Sequence, residues 1–206
     1  MNEGQSPHSL DPSGAVEAAK VALRDQRLAA RKHRGLAAVS EAAQQICDHL
    51  MGATEVRQAA TVAVYVSVGS EPGTARLLDQ LSRAGKRVIA PVLMADNDLD
   101  WVSYQGTLHR AGRGLLEPDG PRLGVDAIAG ADVVLVPALA VSDAGMRMGR
   151  GGGSYDRALA RVQAGTFVCA LAYADEVGPT VPAEPHDRRV DAVATEAGIV
   201  RFAGTF

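Results

Sequence analysis

The sequence is poor in aromatic residues, which make up 4% of its 206 positions, with one Trp, three Phe and four Tyr. A core built from it must be mostly Ala, Val, Leu and Ile. Cysteine is scarce too. Cys47 and Cys169 stand far apart and neither lies in a C-x-x-C pair, which argues against a disulfide scaffold and fits a reducing compartment, the cytoplasm. No apolar run reaches the roughly 18 residues that a membrane span requires. The N-terminal residues lack both a basic start and an apolar stretch, so they do not read as a secretory signal. A basic excess is also missing. Lys plus Arg is 21 against 24 Asp plus Glu, a formal charge of -3, whereas a chain that lives on nucleic acid usually carries the opposite balance. Only three of the 21 basic residues are Lys, a bias that makes any single Arg a weak pointer to function.

What is present is an ordinary globular composition, 47% hydrophobic and 22% charged, in a length that suits one domain. Residues 1–14 are polar and contain Pro7 and Pro12; they read as a disordered leader before a single domain over 15–206. Helical composition and spacing predict helices over 15–34 and 36–51. From residue 61 short β-branched runs alternate with helical ones. Strands are predicted over 61–67, 87–92, 99–104, 131–141, 167–173, 190–195 and 198–202, and helices over 74–84 and 155–163. Residues 105–128 read as a long connection and 142–153 as a loop. Continuous apolar strands alternating with helices indicate a three-layer α/β/α fold with a mostly parallel sheet. Ligands in such folds bind beyond the C-terminal strand ends, here the loops after residues 67, 141 and 173.

Three patterns carry chemistry. In the first, five of the nine residues from Gly145 to Gly153 are Gly. Glycine lets several backbone N–H groups converge on one anion, and Arg147 and Arg150 add forked positive charge. Phosphate binding or a plain surface loop both fit. No Walker motif is present, because Gly85-Lys86 is followed by Arg87, and the loop lies too late for a Rossmann fingerprint. The second pattern is Lys20, Arg24, Arg27 and Arg31, one face of the first helix, either a solvated stripe or a clamp for an anion such as a triphosphate or a polyglutamate tail. The third is the segment from Pro182 to Asp191, where a rigid loop could offer Asp187 or His186 to a hard cation, or simply form a polar turn. Asp156 is the carboxylate beside the Gly-rich loop, and magnesium commonly takes one or two carboxylates plus substrate phosphates. HExxH, zinc-ligand spacing and a GxSxG elbow are absent.

In this order the motifs resemble the 5-formyltetrahydrofolate cyclo-ligase family over roughly residues 17–200. The resemblance rests on Lys20 and Arg24 at K-x-x-x-R, Glu71 to Thr74 after the first strand, Glu117-Pro118, the Gly-rich block from Arg147 to Arg157, and the tail from Pro182 to Asp191. It implies a Rossmann-like fold and a monomer that converts 5-formyltetrahydrofolate, with a mono- or polyglutamate tail, to 5,10-methenyltetrahydrofolate using ATP and Mg2+. The net charge of -3 and the lack of a long apolar run predict no nucleic-acid and no membrane partner. Residue by residue, the resemblance implies Lys20 and Arg24 as phosphate contacts and Arg147, Met148, Gly149, Arg150, Gly151, Gly152, Gly153, Ser154 and Tyr155 as the nucleotide loop. Arg150 and Lys20 would be catalytic, Asp156 and Asp187 the magnesium ligands, and Val68, Glu71, Gly73 and Tyr155 the folate contacts. Arg27 and Arg31 are read as surface. Two positions depart from the family pattern. Gly73 replaces a second acid, and Ser154 stands where an aromatic is common. The other readings are a catalytically weak relative that binds ATP or folate, supported by Gly73, and a nucleic-acid accessory protein using the Arg-rich helix.

Overall fold

A computed structural model describes residues 12–178, 180–183 and 187–203. The predicted leader falls outside the described residues up to residue 11; beyond that the chain is already helical. In order, the elements are α1 (Pro12–Lys32), α2 (Leu36–Gly52), α3 (Thr54–Gln58), β1 (Thr61–Val64), α4 (Ala75–Arg83), β2 (Arg87–Leu93), β3 (Leu99–Ser103), β4 (Leu108–Arg110), β5 (Leu116–Pro118), β6 (Val133–Pro137), β7 (Ala140–Val141), β8 (Arg147–Met148), α5 (Ser154–Leu159), β9 (Phe167–Leu171), β10 (Ala192–Thr195) and β11 (Gly198–Arg201).

Seven strands form one sheet in the order β11-β10-β9-β6-β1-β2-β3. The five inner strands run parallel and the two edge strands antiparallel. The inner strands alternate strictly between two cores, as the period of two requires. Val62, Val64, Val133, Leu135, Cys169 and Leu171 pack beneath α2, α3 and α4. Ala63, Val134, Val136, Val168, Ala170 and Val193 pack on the other side, with Trp101, Ile128 and the α5 residues Ala158 and Leu159. The expected α/β/α layering is present, but unequal, since the second layer holds little more than α5 and a short turn. Each large side chain in these cores is essentially inaccessible, and truncating one to Ala costs about 2–5 kcal/mol.

Several boundaries differ from the sequence expectation. The predicted strand over 131–141 breaks after Pro137, whose nitrogen has no hydrogen to offer the neighbouring strand. The chain leaves the sheet and re-forms as β7, which pairs with β8 inside what reads as a loop. The helix predicted over 155–163 ends at Leu159. Residues 105–128 hold a hairpin, β4 with β5, whose strands are too short for periodicity to reveal.

The strand order places the site. From β1 the chain steps to β2 on one side and later returns to β6 on the other. The crevice between β1 and β6 is therefore the switch point at which open α/β sheets bind ligands.

Candidate functional site

A cavity of about 490 Å³ opens at that crevice, with Tyr65 and Val66 from the end of β1 and Pro137, Ala138 and Leu139 from the end of β6 in its wall. Helix α1 crosses over it. Leu23 and Leu28 of α1 pack against Leu139, Ala140, Met148 and Val181, which fixes the helix over the strand ends. This anchoring turns the whole basic face inward. Lys20 Nζ meets Asp187 Oδ2 at 2.7 Å. Arg24 Nε donates to the Gly149 carbonyl at 3.3 Å, and Arg27 to that of Asp175 at 3.0 Å. Arg31, expected at the surface, is 1% exposed and donates to both oxygens of Glu176. The periodicity of the stripe is visible in the sequence, but its direction depends on partners more than a hundred residues away.

The Gly-rich loop runs from β8 into α5. Its glycines make room for arginines as well as for turns. A Cβ on Gly149 would lie 2.8 Å from Arg147 Nη1, and one on Gly151, at φ +92, would lie 3.0 Å from the Arg24 guanidinium. Two cations thus lie directly against the backbone that lines the cavity. Arg147 is nearly buried, donates to Asp156 at 2.5 Å and keeps an Nε with no partner among the described residues. An orphaned buried N–H on a cation is costly without an acceptor, so an anionic ligand suits this position. With only six residues, α5 contributes less dipole than the predicted longer helix would.

Arg150 is half exposed, and its Nε donates to Glu71 Oε1 at 3.0 Å. The other Glu71 oxygen accepts the Val68 N–H at 2.9 Å. Ser67 and Thr74 bond reciprocally across the same turn, Ser67 N–H to Thr74 Oγ1 and Thr74 N–H to Ser67 Oγ. Glu71 therefore shapes the β1–α4 loop and holds Arg150 at once. Burial, with the Glu71 carboxylate adding to it, pushes the Tyr155 phenol far above its ordinary value, so it remains protonated.

All the expected site residues except Gly73 line this one cavity. A Cβ on Gly73 would meet Ala43 Cβ at 3.1 Å, so a side chain there is aimed at α2. Asp156 and Asp187 both face the cavity, each already bound to a cation. No cluster of three or more metal-binding side chains exists among the described residues. This donor set fits an ion brought in by phosphates, which magnesium tolerates, and does not fit a resident metal cage. Glu184 and His186 of the tail lie outside the described residues. Asp191 serves the sheet, accepting the Val168 N–H at 2.7 Å.

The cavity extends beyond the expected set. Pro91, Leu93, Leu99, Leu115 and Leu116 form an apolar panel, with Glu117, Asn97 and Arg113 around it. Glu117 is nearly buried and accepts the Leu93 N–H at 3.0 Å, which ties β5 to β2. The Glu117-Pro118 pair is the one sequence signal that marked this region.

The sequence model of the 5-formyltetrahydrofolate cyclo-ligase family matches residues 16–196. The chain belongs to that family. A 5-formyltetrahydrofolate cyclo-ligase of Mycolicibacterium smegmatis is 48% identical over 149 residues, 68% of this chain and 76% of that protein. One from Escherichia coli is 34% identical over 164 residues, 77% and 90%. The fold is shared with a 5,10-methenyltetrahydrofolate synthetase of Aquifex aeolicus, at a TM-score of 0.78 and 24% identity, over 90% of this chain and 93% of that one. Within this cyclo-ligase family frame, the motifs that carried the sequence resemblance converge on the crevice between β1 and β6.

Proposed function

We propose that this chain converts 5-formyltetrahydrofolate to 5,10-methenyltetrahydrofolate at the expense of ATP. The observation that carries the reading is the convergence on one cavity of two unlike surfaces. One is cationic, from α1 and the Gly-rich loop; the other is an apolar panel from β2, β3 and the β4–β5 hairpin. The first suits a triphosphate and the second a flat, reduced folate.

A formamide oxygen is a poor leaving group. In the proposed reaction it attacks the γ-phosphorus and ADP departs. Nitrogen N10 of the same molecule then attacks the activated carbon, the five-membered ring closes, phosphate leaves and the N10 proton is released. Such chemistry asks for positioning and charge stabilisation rather than a protein nucleophile. Lys20, Arg24 and Arg147 hold the phosphates, Arg147 through the Nε that has no acceptor among the described residues. Arg150, on a half-exposed side chain, reaches the transferring phosphoryl group. Met148, Gly149, Gly151, Gly152, Gly153 and Ser154 shape the nucleotide loop. Val68, Glu71 and Tyr155 face the folate, and the neutral Tyr155 phenol offers a hydrogen bond without charge. Asp156 and Asp187 would hold a magnesium ion arriving with ATP, which neutralises phosphate charge when bound. Both cysteines are buried free thiols, which suits a reducing compartment; with the family resemblance, we read the protein as a cytoplasmic monomer.

The test is an absorbance assay with 5-formyltetrahydrofolate, ATP and magnesium, each omitted in turn. The methenyl chromophore should form only with all three. No product in the complete mixture would overturn the reading.

A further inference from the structure

Among the described residues, Asn97 and Arg113 are the two non-glycine residues with positive φ, at 64° and 59°. They are also bonded to each other. Arg113 Nη1 donates to Asn97 Oδ1 at 2.7 Å. Asn97 sits in the tight turn between β2 and β3, and Arg113 at the tip of the β4–β5 hairpin, between Gly112 and Gly114. Asparagine tolerates the left-handed region because its short side chain bonds locally; arginine has no such compensation. A strained residue persists where the surrounding structure over-determines it, and such residues gather at ligand sites.

Both residues line the cavity, at the side of the apolar panel. That side lies two strand spacings from β6, about 10 Å from the strand end that opens the crevice. The phosphate-side cations each face an acidic partner: Lys20 faces Asp187, Arg24 Glu17, Arg147 Asp156 and Arg150 Glu71. Arg113 has only the neutral Asn97 amide among the described residues. Its guanidinium is thus oriented, solvent-accessible and uncompensated, beside a surface suited to an aromatic ring. The Asn97 end is braced as well. Arg157 donates to the carbonyls of Asn97, Asp96 and Gly152, which joins this turn to the Gly-rich loop.

We infer that Arg113, aimed by Asn97, binds the carboxylates of the folate glutamate tail and makes the site discriminate by tail charge. The inference rests on the folate reading of the cavity. The pterin and benzoyl rings lie on Leu93, Leu99, Leu115 and Leu116, and the dicarboxylate beyond them meets the fork of Arg113. The forked geometry suits a carboxylate with two parallel hydrogen bonds. Asn97 is a positioning residue, since it fixes the fork without touching the ligand.

The experiment compares 5-formyltetrahydrofolate with its tail-less analogue, 5-formyltetrahydropteroate, on the wild type, Arg113→Ala and Arg113→Gly. The wild type should prefer the glutamyl substrate. Both variants should lose that preference by roughly tenfold or more in the ratio of kcat/KM values, as one charge-assisted contact would, through KM for the glutamyl substrate. Arg113→Gly should also raise the thermal midpoint, because glycine relieves the φ of 59°. An equal loss on both substrates, or no change in the ratio, overturns the inference. A wild type that turns over neither substrate overturns the folate reading itself, and this inference with it.

Discussion

Arg31 and Glu176 meet through two 2.7 Å hydrogen bonds, Nε to Oε1 and Nη2 to Oε2, with both side chains about 1% exposed. Arg31 Nη2 also donates to the Ala138 carbonyl at 2.5 Å, and Glu176 Oε2 accepts the Tyr173 N–H at 2.9 Å. Burial alone would lower the Arg31 pKa, but the Glu176 carboxylate reverses this and raises it, so the guanidinium stays charged. It bolts α1, and with it Lys20 and Arg24, to the strand ends.

Removing one partner strands the other charge. Glu176→Gln should cost about 3–5 kcal/mol in urea denaturation, whereas the apolar double variant Arg31→Met with Glu176→Leu should recover much of that. A single-variant loss below about 1 kcal/mol, the range of an exposed pair, would show that the bolt does not hold the helix.

Arg150 gives a different outcome. Its side chain is 50% exposed while its partner Glu71 is 7% exposed, so Arg150→Ala should cost about 1–3 kcal/mol, the loss of one hydrogen bond to a buried carboxylate. Turnover should fall on the order of 10²-fold or more if it stabilises transferring charge. An unchanged rate in the methenyl assay removes it from the mechanism.

The loop glycines should divide by what lies over them. Gly151→Ala brings a Cβ to 3.0 Å from the Arg24 guanidinium at φ +92, and should abolish the thermal protection given by ATP. Gly152→Ala meets only Ser154 Oγ at 3.6 Å and should keep most of it. Equal effects would mean that room for Arg24 is not what Gly151 supplies.

Restoring the missing family acid should not help. Gly73→Glu drives a Cβ into Ala43 at 3.1 Å and should destabilise by about 1–3 kcal/mol, with no lower KM for 5-formyltetrahydrofolate. A lower KM would show that this side chain turns into the cavity after all.

Acid sensitivity follows from Asp98. Its hydrogen bond and charge from Arg161 outweigh the opposing burial and hold its carboxyl below the usual value. Stability from this pair is therefore complete above about pH 4, the unfolded carboxylate range, and is lost as pH falls through the lowered folded value. Asp98→Asn should be less stable at pH 7, and its stability should fall less between pH 5 and pH 2 than the wild type's. Parallel pH curves would exclude Asp98 as a source of the acid loss.

Much of this was legible in the sequence. The five inner strands are apolar and β-branched, so their type and parallel packing could be read from local pattern alone. The Gly-rich loop could be read because its composition is extreme. The β4–β5 hairpin could not, since Leu108–Arg110 and Leu116–Pro118 are too short to show a period; with it Arg113 was missed as a site residue, and Glu117 was marked only as part of the Glu117-Pro118 pair. Arg31 was misplaced because a helical stripe reports which side chains share a face, while Glu176 decides that this face is buried. Gly73 matched the family position, yet the close approach of α2 at Ala43, which no local pattern reveals, directs that position away from the cavity.

The wide spacing between α1 and its partners has a consequence for biosynthesis. The helix is synthesised well before the residue that secures it, since Glu176 is made 145 residues after Arg31. At about 5–20 residues per second, the nascent helix waits roughly 7–30 s for the carboxylate that lets its arginine be buried. Throughout that interval the strand ends have no roof, so the crevice is completed only once residue 176 has been made.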